Sequence, residues 1–324
     1  MVRRGKPRRE KVENMFNTFF ITKNQQIQLP ILKEKEIELW IKREDQIHEF
    51  VSGNKFRKLK YNIQEAQKQQ KNTLLTFGGA YSNHIVATAV AGHLSGCETI
   101  GVIRGEELAN NLEKVLRENK TLQVASENGM KFEFVTREEY REKETPIFVE
   151  NLRKKHGDFY LIPEGGTNAL AIKGCQEILT KEDEKFDYIC VAVGTGGTIS
   201  GLIESAKEHQ KVIGFPALKG DFLSKDIQKI TNKQNWELNT AYHFGGYGKF
   251  STGLIRFINE FKEKTNILLD PIYTGKMLYG IVDLVKKDGF KKGSKILTIH
   301  TGGLQGIDGA NKRLKKKGLD LIKV

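Results

Sequence analysis

From Leu29 onward, segments typical of buried β-strands alternate with segments typical of helices almost without a break. The strand candidates are short apolar runs at residues 73–77, 99–103, 188–193, 211–215 and 295–300. An unbroken apolar run predicts a strand that is covered on both faces, as in a parallel sheet flanked by helices. The sequence therefore predicts an open α/β fold, in which ligands bind at the carboxyl ends of the strands.

The composition, with 38% hydrophobic residues in 324, is typical of a globular protein in water. No apolar run reaches the roughly 18 residues of a membrane-spanning helix, so we expect no membrane partner. Residues 1–15 are basic and polar and lack the apolar core of a secretory signal. The scattered Cys97, Cys175 and Cys190 predict neither a disulfide framework nor a metal site, which favours the reducing cytoplasm.

The formal net charge of +13 is concentrated in part near the two ends of the chain. Basic residues are frequent in residues 1–14 and again at Lys312, Arg313 and Lys315–Lys317. Such runs can bind nucleic acid, but no aromatic residues interleave with them, so we expect solvated segments and no nucleic-acid partner. Residues 1–20 are interpreted as a flexible basic lead-in. A basic protein also attracts an anionic cofactor or substrate.

The stretch 52–58, Ser-Gly-Asn-Lys-Phe-Arg-Lys, joins an extended segment to a helix that we predict from Asn54 to about Gln70. Asn54 is predicted to be the N-cap, and Gly53 allows a tight turn before it. Lys55 then lies in the first helical turn, where the helix dipole and nearby cations disfavour its charged form. An uncharged lysine can attack a carbonyl, so Lys55 is a candidate Schiff-base lysine, with an ordinary solvated lysine as the alternative.

Three junctions between a strand and a helix are rich in glycine, at residues 78–79, 194–197 and 302–303. Such a turn presents free N–H groups and the positive end of a helix dipole, which together suit a phosphate. The strongest candidate is the run Gly194-Thr195-Gly196-Gly197-Thr198, in which two hydroxyls add donors.

Two familiar phosphate motifs do not fit this run. A P-loop requires Lys followed by Ser or Thr after the glycines, but Ile199-Ser200 follows here. A dinucleotide site requires an acidic residue at the end of the next strand, which instead ends in Phe215-Pro216. A site for one isolated phosphate remains, with glycines that only allow close helix packing as the alternative.

The junction after Gly78-Gly79 continues with Ser82, Asn83 and His84, where a helix is predicted to begin. Helix capping explains one of these polar residues but does not require both Ser82 and Asn83. An amide can bind a phenolate oxygen, and a hydroxyl can bind a carboxylate or act as a nucleophile. A Ser-His-Asp hydrolase is disfavoured, because Ser82 lacks the Gly-x-Ser-x-Gly setting.

A phosphate loop, a candidate Schiff-base lysine and an amide donor are the groups that hold pyridoxal phosphate. The sequence resembles the fold-type II pyridoxal-phosphate enzymes, whose fold is like that of tryptophan synthase β. Within them it resembles the 1-aminocyclopropane-1-carboxylate (ACC) deaminase and D-cysteine desulfhydrase family. The resemblance runs from about Leu29 to Gly309 and is most specific in residues 52–55 together with Arg57-Lys58-Leu59.

By this resemblance, Lys55 forms the Schiff base with the cofactor and Asn83 faces the phenolic oxygen of its ring. The turn formed by Gly194, Thr195, Gly196, Gly197 and Thr198 would bind the phosphate. Ser82 matches the serine beside the substrate, which binds its carboxylate or acts as a nucleophile.

Two further active-site residues implied by the resemblance are Tyr247 and Tyr273. In ACC deaminases a glutamate follows the second tyrosine, and a motif near the C-terminus reads His-Leu-Gly-Gly. Thr274 and Thr301 stand at those positions here, as in the D-cysteine desulfhydrases. A glutamate would keep the pyridine nitrogen protonated, which suits opening of a cyclopropane. A neutral threonine beside the cofactor gives a weaker electron sink, which suffices when a thiolate leaves from Cβ.

The resemblance thus implies β-elimination of a small amino acid, with D-cysteine giving pyruvate, ammonia and hydrogen sulfide. The alternative is ACC deamination to 2-oxobutanoate and ammonia. Two open, twisted, mostly parallel α/β domains are implied, with the cofactor in the cleft between them. Residues 21–59 with 169–324 would form the large cofactor-binding domain, and residues 60–168 the small one. Family members are usually homodimers, so a homodimer is expected.

Overall fold

The computed structural model describes residues 16–220 and 222–324. Most of the predicted lead-in, residues 1–15, therefore lies outside the described residues. The chain divides into two compact units. The large unit comprises Ile21–Lys58 and Thr167–Val324, and the small unit comprises Leu59–Gly166 with the segment that ends at Phe20. The cofactor-binding role assigned to one of the two domains stays a prediction.

The strands of the described residues are, in chain order, β1 (Asn24–Ile27), β2 (Glu38–Lys42), β3 (Thr73–Gly79), β4 (Glu98–Arg104), β5 (Met130–Val135), β6 (Tyr160–Ile162), β7 (Tyr188–Val193), β8 (Lys211–Pro216), β9 (Trp236–Leu238) and β10 (Lys295–Ile299).

The α-helices of the same residues are α1 (Pro30–Glu34), α2 (Asn54–Lys68), α3 (Asn83–Ser95), α4 (Leu112–Glu118), α5 (Lys120–Glu127), α6 (Pro146–His156), α7 (Ala169–Gln176), α8 (Gly197–Ser205), α9 (Phe222–Gln228), α10 (Thr252–Thr265), α11 (Thr274–Lys286) and α12 (Gly306–Lys316).

The large unit is built on a six-stranded sheet with the order β1-β2-β10-β7-β8-β9. The β1–β2 pair is antiparallel, and the other neighbouring pairs are parallel. Central strand β10 is covered on both faces. Ile296 packs in the core formed with α10 and α11, whereas Leu297 and Ile299 pack in the core formed with α8. Burial on both faces explains why these strands are unbroken apolar runs in the sequence.

The small unit is built on a four-stranded parallel sheet with the order β5-β4-β3-β6. Neighbouring residues of β4 face opposite cores, Val102 on one side and Ile103 on the other. Helix α3 carries small and apolar side chains and is buried over most of its length. Two mostly parallel sheets with helices confirm the predicted α/β fold class.

Residues 106–127 form three short helical segments rather than one long helix. A 3-10 helix at Glu106–Asn111 comes first, and two short helices, α4 and α5, follow it. Asn119 separates the helices, because its extended backbone ends α4 and its side chain accepts the N–H of Leu122 to cap α5. This is the N-cap chemistry expected of asparagine.

None of the helices in the part of the chain that the structure describes has both the length and the apolar character needed to cross a bilayer.

A buried ion pair fixes the end of β2. Lys42 Nζ lies 2.8 Å from Asp183 Oδ2, and both side chains are at most 2% exposed. Asp183 Oδ1 also accepts a hydrogen bond from Asn24 Nδ2, and its Oδ2 accepts the N–H of Thr180. Removal of one member of such a pair leaves an uncompensated buried charge, which is expensive.

We expect Lys42→Met to lower the free energy of unfolding by about 3 kcal/mol, because the Asp183 carboxylate loses its buried counter-ion. Lys35→Met is the matched control, since Lys35 pairs with Asp288 at 2.8 Å but Asp288 is 74% exposed. The control should change stability by less than about 1 kcal/mol. Urea unfolding followed by circular dichroism measures the free energy of unfolding of both variants. An equal decrease in the two would contradict the stabilising role of the buried Lys42–Asp183 pair.

Candidate active site

The turn before Lys55 packs directly against a second glycine-rich turn. Gly53 has φ of +57°, and a methyl group on its Cα would lie 2.2 Å from the carbonyl oxygen of Thr301. No side chain fits there, so glycine is required at this position. Helix α2 begins at Asn54 itself, and Asn54 Nδ2 donates to Thr198 Oγ1 at 2.9 Å. The prediction that Asn54 is the N-cap is therefore wrong: its amide instead ties the helix to the turn at 194–198.

A buried ion pair holds both the turn and the helix that carry Lys55. Arg57 Nε and Nη2 donate to the two carboxylate oxygens of Glu44 at 2.8 and 2.9 Å. The backbone carbonyl of Glu44 accepts the N–H of Gly53 at 2.8 Å. Thr22 Oγ1 adds a third hydrogen bond to the carboxylate at 2.7 Å. Glu44 thus fixes the backbone on both sides of Lys55.

The amine of Lys55 is the reactive group that this arrangement produces. Desolvation, together with a smaller effect of the nearby Lys58 ammonium, lowers the pKa of Lys55 to about 7. The sequence argument named the helix dipole and neighbouring cations, whereas desolvation is the larger cause. Near neutral pH, a large fraction of Lys55 is the free amine, which is the form that attacks a carbonyl.

The Gly194–Thr198 turn lies at the N-terminus of α8 and has a cation beside it. Lys58 Nζ donates to Thr195 Oγ1 at 3.3 Å and to Thr167 Oγ1 at 3.0 Å. The two threonine hydroxyls are 2.6 Å apart. A methyl group on Gly197 would lie 3.2 Å from Lys58 Nζ, so the bare turn lets the lysine approach. Burial lowers the pKa of Lys58 to about 8, and an anion bound here would favour its charged form.

Lys58 and Thr167 were not among the predicted cofactor-binding residues. The spacing between Lys55 and Lys58 offered a signal, because residues three apart on a helix lie on one face. Thr167 offered none, since its contact with Thr195 joins separate parts of the chain.

The two predicted tyrosines lie close together in the large unit. A methyl group on Gly194 would lie 3.3 Å from Tyr273 Oη, so the Tyr273 ring is beside the glycine turn. The ring centroid of Tyr247 is 6.1 Å from that of Tyr273, with the rings edge to face. Tyr247 is 48% exposed, so its phenol is open to a small molecule from solvent.

Thr274 is fully buried at the start of α11 and is bonded to Asp270. Its Oγ1 donates to Asp270 Oδ1 at 2.8 Å and accepts the N–H of Asp270 at 3.0 Å. The Asp270 carboxylate also accepts the N–H groups of Ile272, Tyr273 and Thr274. Burial raises the pKa of Asp270, and these hydrogen bonds oppose the rise. The only hydroxyl hydrogen of Thr274 is thus directed at Asp270.

Thr301 follows a histidine that organises its turn. His300 is fully buried, its Nδ1 accepts the N–H of Gly302 at 3.2 Å, and its Nε2 lies 2.8 Å from the carbonyl oxygen of Leu268. This pair of contacts fits the neutral tautomer with hydrogen on Nε2. Thr301 is buried as well, next to Gly53.

Ser82 and Asn83 belong to the small unit, at the start of α3. Ser82 is the N-cap, because its hydroxyl accepts the N–H of His84 at 3.2 Å. Asn83 is therefore not needed as the cap. Its Oδ1 is buried and has no hydrogen-bond partner in the described residues. A buried amide without a partner is costly, which is typical of a group that binds a ligand.

The groups of the large unit fit a small phosphorylated aldehyde. Within the large unit, a glycine turn with a lysine and two hydroxyls suits the phosphate, and the amine of Lys55 suits the aldehyde. Across residues 16–220 and 222–324, no group of three or more His, Cys, Asp or Glu residues is arranged to hold a metal ion.

Comparison with known proteins agrees with this chemistry. The family model described as "Pyridoxal-phosphate dependent enzyme" matches residues 18–302. A mitochondrial bifunctional D-cysteine desulfhydrase/ACC deaminase of Arabidopsis thaliana is 34% identical, over 83% of this chain and 73% of that protein. A D-cysteine desulfhydrase of Klebsiella pneumoniae subsp. pneumoniae is 27% identical, over 82% of this chain and 87% of that protein.

A crystal structure of an ACC deaminase homologue matches 95% of this chain and 99% of its own, with a TM-score of 0.75 and 28% identity. The resemblance inferred from the sequence is thus confirmed over most of the chain. The chain belongs to the family of pyridoxal-phosphate-dependent enzymes, as a relative of the ACC deaminases and D-cysteine desulfhydrases.

Proposed function

We propose that the protein catalyses β-elimination from D-cysteine. One D-cysteine and one water give one pyruvate, one ammonia and one hydrogen sulfide, so the reaction needs no oxidant. The observation that supports this most is the lowered pKa of Lys55, about 7, on a helix whose first turn bonds to the Gly194–Thr198 turn. A reactive amine beside an anion site is what a pyridoxal-phosphate lyase requires.

In this proposal, Lys55 holds the aldehyde of the cofactor, and the Gly194–Thr198 turn and Lys58 hold its phosphate. Asn83 binds the phenolic oxygen, and Ser82 binds the substrate carboxylate. The bound cofactor supplies an electron sink for the pair left on Cα when the α-proton departs. Tyr247 and Tyr273 line the substrate position beside the glycine turn.

Lys55 is the base that we favour for removal of the α-proton. Once it no longer holds the cofactor, Lys55 would be a free amine with a pKa of about 7. A base with a pKa near the working pH is efficient, because it is both unprotonated and able to accept a proton. Tyr247 and Tyr273 are the alternative bases, and the handedness of the substrate determines which face is used.

Position 274 favours D-cysteine over ACC as the substrate. The Thr274 hydroxyl donates to Asp270, so this position offers no acid to keep the pyridine nitrogen protonated. Elimination of a thiolate, a good leaving group, needs a weaker electron sink than ring opening of a cyclopropane. Since relatives named for both activities match this chain, ACC deamination is the alternative. A homodimer and a cytoplasmic location stay predictions.

The covalent role of Lys55 can be tested by borohydride trapping. We expect the purified protein with added pyridoxal phosphate to be yellow, to lose its colour with borohydride, and to carry the reduced cofactor on the peptide with Lys55. Lys55→Ala should abolish colour and label, whereas Lys68→Ala, an exposed lysine of the same helix, should not. A label on any other lysine of the wild-type protein would contradict the assignment.

Lys58 should bind the phosphate group specifically. Loss of a charge-assisted hydrogen bond, about 1.5–3 kcal/mol, corresponds to roughly ten- to hundredfold weaker binding. We therefore expect Lys58→Met to weaken binding of pyridoxal phosphate to that extent and to leave binding of pyridoxal, which lacks the phosphate, unchanged. Equilibrium titration of the cofactor-free protein measures both, with Lys68→Met as control. An equal loss for both ligands would show that Lys58 does not bind the phosphate.

Substrate choice should follow positions 274 and 301. We expect wild-type protein to release keto acid from D-cysteine faster than from ACC or L-cysteine. In Thr274→Glu combined with Thr301→Leu, the ratio of kcat/KM for D-cysteine to that for ACC should fall roughly tenfold or more, or about 1.4 kcal/mol in transition-state preference. Thr301→Leu alone serves if the buried glutamate prevents folding. Faster turnover of ACC by the wild type would favour the alternative.

A further inference from the structure

Lys276 is a buried lysine to which neither the sequence motifs nor the proposed mechanism gives a role. It is 2% exposed. Its Nζ donates to two backbone carbonyls, those of His243 and Gly246, both at 2.9 Å. Both acceptors lie in one loop, residues 243–248, about 30 positions earlier in the chain. One ammonium thus joins the start of α11 to this loop.

The loop needs such an anchor because its backbone is irregular. Consecutive residues Phe244, Gly245 and Gly246 have positive φ, and Gly248 does as well. Backbone of this kind forms neither helix nor sheet, and glycine allows it many other conformations. Within the loop, the N–H of Gly246 bonds to the carbonyl of His243, the N–H of Gly245 to His243 Nδ1, and the N–H of Lys249 to the carbonyl of Gly246. The hydrogen bonds of Lys276 hold the loop from outside.

The same helix start carries one active-site candidate, and the loop carries the other. Tyr273 is the N-cap residue of α11, three positions before Lys276. Tyr247 directly follows Gly246, an acceptor of Lys276. The two rings meet edge to face with centroids 6.1 Å apart. Lys276 therefore joins the two segments that carry the tyrosines, and Arg313 Nη1 adds a further hydrogen bond to the loop at the carbonyl of Gly248.

A cation at this position is expensive for the fold. It lies in the first turn of a helix, where the dipole disfavours positive charge, and it is withdrawn from water. Desolvation lowers the pKa of Lys276 to about 8, and the Asp270 carboxylate opposes the decrease. An apolar side chain such as Met would fill the space without this cost. A costly buried ion suggests a role other than stability.

We propose that Lys276 is a positioning residue that holds Tyr247 opposite Tyr273. This inference rests on the proposed function, in which the two tyrosines line the substrate position. Lys276 does not touch the reacting atoms. It acts through the carbonyls of His243 and Gly246, and it sets the conformation of the loop before substrate binds.

Hydrogen exchange of the cofactor-loaded protein tests directly whether Lys276 holds the loop of residues 243–248. Lys276→Met should speed amide exchange in residues 243–249 at least roughly tenfold, with exchange in β7 and β10 unchanged. Lys286→Met removes an equal charge from an exposed position of the same helix. It should change amide exchange neither in the loop nor in the two strands. Lys276→Arg keeps two donors and should restore protection in part. Lys276→Gln replaces Lys276→Met if the apolar variant does not fold.

Activity provides the second readout. In Lys276→Met, kcat for D-cysteine should fall roughly ten- to hundredfold, as misplaced active-site groups cost about that much, while borohydride labelling of Lys55 stays complete. Unchanged loop exchange, or raised exchange with unchanged kcat, would overturn the positioning role. If the wild type turns over no amino acid, the proposed function fails, and the positioning role in catalysis fails with it. If the wild type is active but loop exchange in Lys276→Met is unchanged, only the positioning role of Lys276 is refuted.

Discussion

The large unit depends on the contact between the first turn of α2 and two glycine-rich turns. Gly53 lies against the peptide of Thr301 so closely that no side chain fits. One residue later, Asn54 bonds to Thr198, and Lys58 bonds to Thr195. These contacts join segments that are far apart in the chain, and they place Lys55 between them. The reactivity of Lys55 is therefore a property of the packed unit rather than of its local sequence.

Two buried carboxylates of this unit, Glu44 and Asp270, are attached to backbone whose position matters for the site. Glu44 binds Arg57 with its carboxylate and Gly53 with its carbonyl, so it fixes the backbone around Lys55. Asp270 binds three N–H groups at the start of α11, next to Tyr273. Buried ion pairs seldom stabilise a fold more than apolar side chains would. Here these groups fix the orientation of the backbone, which apolar packing does less well.

Much of this could be predicted from the sequence, because the relevant signals are local. Strands buried on both faces are apolar runs, so the fold class could be predicted. A turn that approaches a phosphate needs glycine, so the 194–198 turn could be identified as a candidate, and its phosphate role stays a prediction. The role of Asn54 could not be predicted from the sequence. Asparagine before a helix suggests a cap, but its amide partner, Thr198, is 144 positions away. Lys276 was missed because its acceptors, the carbonyls of His243 and Gly246, are brought to it by tertiary packing. The partners of Asp270 are instead local, two to four residues further along the chain.

The charge balance around Lys55 and Lys58 argues for an anion from outside the chain. The group beside both lysines that could balance their charge is Cys175, but only as a thiolate. Burial raises the pKa of Cys175 itself to about 11, so the thiol is neutral near pH 7 and carries no balancing charge. The nearby carboxylates of Glu44 and Glu177 are both directed at Arg57. Two amines are thus held close together with lowered pKa values, at a cost in folding free energy. A phosphate at the glycine turn would supply the missing negative charge to Lys58, and an aldehyde would consume the free amine of Lys55. One ligand that carries both groups would relieve both costs at once, which supports the proposal that this pair of lysines binds the cofactor.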